Sequence, residues 1–174
     1  MALSISAGTS IPNDFNVIIE IAAGGGPVKY EMNKEYGVIM VDRFMPVAMY
    51  YPCNYGFVPS TLAEDGDPMD VLVLTPAPIQ PGALVRVRPI GLLLMTDENG
   101  NDCKILGVPI AKACLEYAYI ESLEDVPKPF LDKIKHFFEN YKTLEPNKWV
   151  KVDGWDGKKA AEKALIDSVE RYKK

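Results

Sequence analysis

At 174 residues, 48% hydrophobic and 25% charged, the chain has the make-up of one globular domain, 1–174, long enough to bury a core without disulfides or a structural metal. A net charge of -5 argues against a nucleic-acid partner, no apolar run reaches the length of a membrane span, and Met1-Ala2-Leu3-Ser4 does not open like a secretory signal, so the expected address is cytoplasmic. Cys53, Cys103 and Cys114 are an odd count without C-x-x-C spacing, which suggests neither a disulfide framework nor a thiolate zinc site.

Along the chain, Val17 to Ile21, Val28 to Met32 and Val38 to Arg43 are β-branched or alternating runs, separated by Gly24-Gly25-Gly26-Pro27 and by the stretch from Asn33 to Gly37. Tyr51 to Pro59 reads as a proline-bracketed turn. Asp70 to Leu74, Leu84 to Met95 and Cys103 to Ile110 continue the strand pattern, with Pro76 to Gly82 as a breaker and Asn99-Gly100 as a hairpin signal. After that the period changes. Phe130, Ile134, Phe137, Phe138 and Tyr141 recur at helical spacing between Pro129 and Tyr141, and a second helix is expected from about Lys158 to Tyr172 with Asp156 near its N-cap. Many close strands followed by two helices predict an α+β, mainly β, fold: a small closed barrel with helices packed on it.

The chemistry concentrates in Asp65-Gly66-Asp67-Pro68-Met69-Asp70. Gly66 and Pro68 forbid a regular helix, so the three carboxylates sit on a turn where they can converge, and oxygen-only ligands suit Mg²⁺, Mn²⁺ or Ca²⁺. Taken alone, a solvated acidic turn explains the motif about as well. An EF-hand is excluded, because its fifth, sixth and twelfth positions would be Met69, Asp70 and Pro76.

Strand alternation puts Lys29 and Glu31 on one face and aligns Asp102 with Lys104, while Asp97 stands near Asp102 across the hairpin. Glu20 interrupts an apolar strand; it points either outward to solvent or into a polar cavity. Carboxylates for metal, together with Lys, Arg and Tyr donors for oxyanions, are what metal-assisted phosphoryl transfer requires. The only histidine, His136, lies beside the apolar stripe of the first helix, and packing or a subunit contact suits it better than catalysis.

Asp65-Gly66-Asp67-Pro68-Met69-Asp70-Val71 resembles the aspartate-rich motif of the family I soluble inorganic pyrophosphatases. The resemblance extends through Glu20, Lys29, Glu31, Arg43, Tyr51 to Pro59, Asp97-Glu98, Asp102-Cys103-Lys104 and Tyr141-Lys142 to the segment Trp149 to Trp155. It implies a five-stranded barrel of the oligonucleotide-binding (OB) type with flanking strands and two packed helices. It further implies a cytoplasmic, Mg²⁺-dependent hydrolase of inorganic diphosphate, with several metal ions per subunit, Mn²⁺ as a substitute, and a homohexamer built as a dimer of trimers. The substrate would be Mg-pyrophosphate, cleaved to two orthophosphates by direct attack of a metal-bridged water or hydroxide.

By the same resemblance, Asp65, Asp70 and Asp102 would hold the first activating metal, with Asp70 also reaching the second. Asp97 and Asp102 would hold a metal arriving with substrate, and Glu31 would orient another through water. Asp67 would be the general base. Lys29, Tyr55 and Lys104 would bind the electrophilic phosphoryl group and Arg43, Tyr141 and Lys142 the leaving phosphate, supported by Glu20, Tyr51 and Glu98. Two departures stand out: Asn140 replaces an interface histidine of many hexameric relatives, and Pro146-Asn147 replaces a glycine-containing turn.

Overall fold

The computed structural model describes residues 5–174, so the reading of Met1 to Ser4 lies outside the described residues. Five strands close a ring. β1 (Phe15–Ile21) pairs antiparallel with β4 (Asn54–Phe57), which pairs with β5 (Asp70–Val73). β5 runs parallel to β8 (Lys104–Pro109), β8 pairs with β6 (Leu84–Asp97), and β6 returns to β1. This is the arrangement expected as an OB-type barrel, and closure leaves its strands without free edges. β7 (Gly100–Asn101) and β9 (Val150–Gly157) extend the sheet along β6, and β2 (Val28–Asn33) with β3 (Val38–Phe44) forms a separate two-stranded sheet. The helices are α1 (Lys128–Asn140) and α2 (Lys158–Tyr172).

Three local details depart from the expectation, and a fourth meets it. β4 lies inside the segment read as a turn; its four residues are all buried, so it shows no alternation to detect. β9 carries Gly154 at φ +131 and a register shift opposite Leu94/Met95, which breaks the period-2 pattern. The hairpin turn is Glu98-Asn99 rather than Asn99-Gly100, because Gly100 already pairs with Asp97. Asp156 stands near the N-cap of α2 as expected: the cap is Gly157, whose N–H the Asp156 carboxylate accepts at 2.7 Å from one residue upstream.

Two apolar clusters follow from strand alternation. Phe15, Val17 and Ile19 of β1, Val71 and Val73 of β5 and Ile105 of β8 pack with Ala161 and Leu165 of α2. The opposite faces, including Leu72, Leu106 and Leu93, pack with Ile134, Phe137 and Phe138 of α1. Each such fully buried Val, Leu, Ile or Phe side chain stabilises the fold by roughly 1.5–3 kcal/mol relative to exposure. The i, i+3, i+4 spacing of those three α1 residues aims the next, Tyr141, at the same cluster and leaves His136 exposed.

The β1–β4 pairing shifts register between Ile19 and Ile21, so Glu20 is the extra residue of a bulge. Strict alternation would send Ile21 to the α2 side with Ile19. The bulge moves it into the α1 cluster and re-aims Glu20. Gly56 makes this close approach possible, because a Cβ there would lie 2.1 Å from the Ile18 carbonyl oxygen.

Candidate active site

One polar cavity of about 340 Å³ opens where β1 ends, β5 and β8 begin and the β6–β7 turn bends over. Every residue to which the resemblance gives a role in the site lines it: Glu20, Lys29, Glu31, Arg43, Tyr51, Tyr55, Asp65, Asp67, Asp70, Asp97, Glu98, Asp102, Lys104, Tyr141 and Lys142. The two readings left open for Glu20 are thereby separated: it faces the polar cavity and is 6% exposed.

Register places the central charges. Val71 of β5 stands beside Ile105 of β8, so Asp70 and Lys104, the first residues of two parallel strands, are neighbours. Lys104 Nζ donates to Asp70 Oδ2 at 2.6 Å and to Asp102 Oδ1 at 2.8 Å, and the Tyr55 hydroxyl donates to Asp70 Oδ2 at 2.7 Å. The ammonium also lies 5.5 Å and 5.6 Å from the ring centres of Tyr55 and Phe138. Burial would discharge Lys104, but Asp70 and Asp102 outweigh it and hold the ammonium well above its usual range. On the far wall Lys142 Nζ donates to Asp97 Oδ2 at 2.7 Å and reaches Glu98 at 3.4 Å. Burial raises the Asp97 carboxyl, yet the hydrogen bond from Lys142 brings it below the ordinary value.

The β2–β3 register sets Lys29 directly opposite Arg43, a like-charge pair that would repel if left alone. Carboxylates offset it: Lys29 Nζ bonds Glu31 and lies 3.8 Å from Asp42, and Arg43 Nη1 donates to Asp42 at 2.5 Å. The expected shared face of Lys29 and Glu31 is therefore present as an ion pair.

Other carboxyls are strained toward protonation. Burial pushes Glu20 up to about 8; the Met32 N–H, donating to it at 2.7 Å, opposes this, and Asp70 and Glu31 add to it. Burial likewise raises Asp102 to about 6, against Lys104 and with Asp70. Asp65 is raised by burial and by Asp70 and Asp67, against the Asp67 backbone N–H that its Oδ1 accepts at 3.0 Å. Asp67 is exposed, and among the described residues its carboxylate takes part in no ion pair.

Carboxyl groups that burial, and then one another's charge, make resist ionising, with only oxygen donors among them, suit a hard cation. Among the described residues no three of them already surround a common point, since Lys104 and Lys142 stand between them. Sequence reading missed Asp42, Phe138 and Lys148, which also line the cavity. Asp42 adjoins Arg43 in a strand visible from the sequence, but nothing in its spacing marks it, and Phe138 reads from sequence only as part of the apolar stripe.

A model of the family described as inorganic pyrophosphatase matches residues 17–173. The chain belongs to the inorganic pyrophosphatase family. It is 56% identical over 171 residues to the inorganic pyrophosphatase of Ralstonia nicotianae, covering 98% of each chain. With that of Escherichia coli K12 it shares 52% over 171 residues, 98% of this chain and 97% of the relative. Among solved pyrophosphatase structures, that from Coxiella burnetii superposes with a TM-score of 0.94 at 62% identity, covering 97% of this chain and 99% of that one. The Thermus thermophilus pyrophosphatase gives 0.91 at 46%, covering 98% of each. The chain is accordingly an enzyme of the family's hydrolase class.

Proposed function

We propose that this enzyme, acting through a single domain, hydrolyses inorganic pyrophosphate to two orthophosphates in a Mg²⁺-dependent reaction. Family membership supports the substrate. The observation that carries the chemistry is that one cavity is lined both by the carboxylates of Asp65, Asp67, Asp70, Asp97 and Asp102 and by the donors of Lys29, Arg43, Lys104, Tyr141 and Lys142.

Asp65, Asp70 and Asp102 would hold activating Mg²⁺, with Asp97 and Glu31 taking part in further sites; Mn²⁺ shares the preference for oxygen donors. Bound Mg²⁺ supplies Lewis acidity and lowers the pKa of the attacking water. Asp67, in no ion pair among the described residues, accepts the proton from that water. Lys104, Lys29 and Tyr55 bind the phosphoryl group under attack and Arg43, Tyr141 and Lys142 hold the departing phosphate. Glu20, Tyr51 and Glu98 keep these groups in place. Lys104, which donates to Asp70 and Asp102 in this structure, would turn its donors to phosphate oxygens where those carboxylates hold Mg²⁺.

Assembly as a homohexamer, a dimer of trimers, draws support from exposed apolar side chains on β3, with Val38 50%, Val41 49% and Phe44 73% exposed. At the expected helix interface His136 is exposed, and Asn140 Nδ2 turns back to donate to the His136 carbonyl at 2.8 Å. No helix among the described residues is long and apolar enough to cross a membrane, and we place the enzyme in the cytoplasm.

The test is phosphate release from pyrophosphate with millimolar Mg²⁺, repeated with excess chelator and with ATP and tripolyphosphate. Mg²⁺-dependent release selective for pyrophosphate is expected. No release, or release indifferent to chelator, overturns the reading.

A further inference from the structure

The segment after α1 carries Tyr141 and Lys142 into the cavity and then sends Glu145 back to β3. Glu145 Oε2 lies 2.9 Å from Arg43 Nε and 3.4 Å from Lys148 Nζ, and its side chain is 8% exposed. The contact is between charges rather than a finished hydrogen bond: Arg43 Nε and Glu145 Oε1 are both buried with no aligned partner among the described residues. With Nε facing Glu145 and Nη1 donating to Asp42, the guanidinium is gripped along two edges, and its Nη2 has no partner among the described residues. Arg43 needs that grip. It sits directly opposite Lys29 in register, and the repulsion between two cations favours any conformer that separates them.

We propose that Glu145 is a positioning residue for the pyrophosphatase reaction: by holding the Nε edge of Arg43 it aims the guanidinium at the departing phosphate and locks Arg43, Tyr141 and Lys142 into one unit. This rests on the leaving-phosphate role given to those three residues above. Glu145 does not itself line the cavity, so it acts only through Arg43 and through the loop that it anchors. Lys148, which does line the cavity, shares its carboxylate and completes the connection.

A double-mutant cycle tests this, using wild type, Glu145→Gln, Arg43→Lys and the double variant, each with kcat and KM for Mg-pyrophosphate, orthophosphate affinity by calorimetry and Tm. Residues in contact are energetically coupled, so Glu145→Gln should lower kcat and weaken orthophosphate binding, each by about tenfold, at nearly unchanged Tm. In the Arg43→Lys background, which has no Nε–H fork to hold, the same substitution should change neither. Glu145→Asp, keeping the charge on a shorter stem, should fall between wild type and Gln. Equal losses in both backgrounds, or a fall in Tm with kcat intact, would overturn the proposal and leave a loop tether. An inactive wild type would overturn instead the functional reading on which it rests.

Discussion

Replacing Lys104 with methionine keeps the apolar stem and deletes the charge between two carboxylates. At 2.6 and 2.8 Å, and with an effective dielectric constant of about 20, the ammonium attracts each carboxylate by roughly 6 kcal/mol. Most of that is offset by the cost of dehydrating a side chain that is 2% exposed, and breaking a buried pair on one side leaves a net loss of about 3–5 kcal/mol. Against a total stability of about 5–15 kcal/mol this is severe; at roughly 2–4 °C per kcal/mol it lowers Tm by about 10 °C in chelator. Saturating Mg²⁺ supplies another cation to Asp70 and Asp102, so the deficit should shrink to about 1 kcal/mol, the scale of the lost contacts with the Tyr55 and Phe138 rings. Urea unfolding of wild type and Lys104→Met, with chelator and with Mg²⁺, reads the difference. A deficit of the same size in both conditions would refute the reasoning, because Lys104 would then act by packing alone.

Asp67→Asn should lower turnover by at least about a hundredfold while leaving Mg²⁺ titrations almost unchanged, since a general base contributes roughly 10²–10⁴-fold; unaltered turnover would remove Asp67 from that role. Asp70→Asn should instead weaken Mg²⁺ binding, and a titration matching wild type would contradict its assignment as a ligand. Glu20 holds its proton to about pH 8 when folded, against 4.5 for the free group, so its stabilising contribution is complete below about pH 4.5 and is withdrawn as pH rises through 8. In chelator, the stability gained by Glu20→Gln over wild type should therefore widen between pH 5 and pH 8.5, and a constant gap would show that the burial penalty is not borne by this carboxyl. Gly56→Ala should cost more than about 4 kcal/mol or prevent folding, because its Cβ meets backbone oxygen rather than a side chain that can move. A soluble variant with wild-type Tm would exclude the close β1–β4 approach.

The sequence by itself determined which groups the enzyme has to work with and most of the segments that carry them. β-branched, alternating and apolar runs located β1, β2, β3, β5, β6 and β8, helical periodicity located α1 and α2, and Gly66 with Pro68 marked the aspartate turn as irregular. These features are local, and a few residues of pattern suffice to see them. Tertiary structure decided how the groups meet. Whether Glu20 faces solvent or cavity depends on a bulge that exists only because β1 and β4 approach across Gly56, and Lys104 stands between Asp70 and Asp102 only because two strands far apart in sequence pair in parallel register. Glu145 carried no signal at all, since its partner Arg43 lies on a distant strand. Charge, burial and protonation in this site are properties of long-range register, and register is set by strand pairings that no single segment contains.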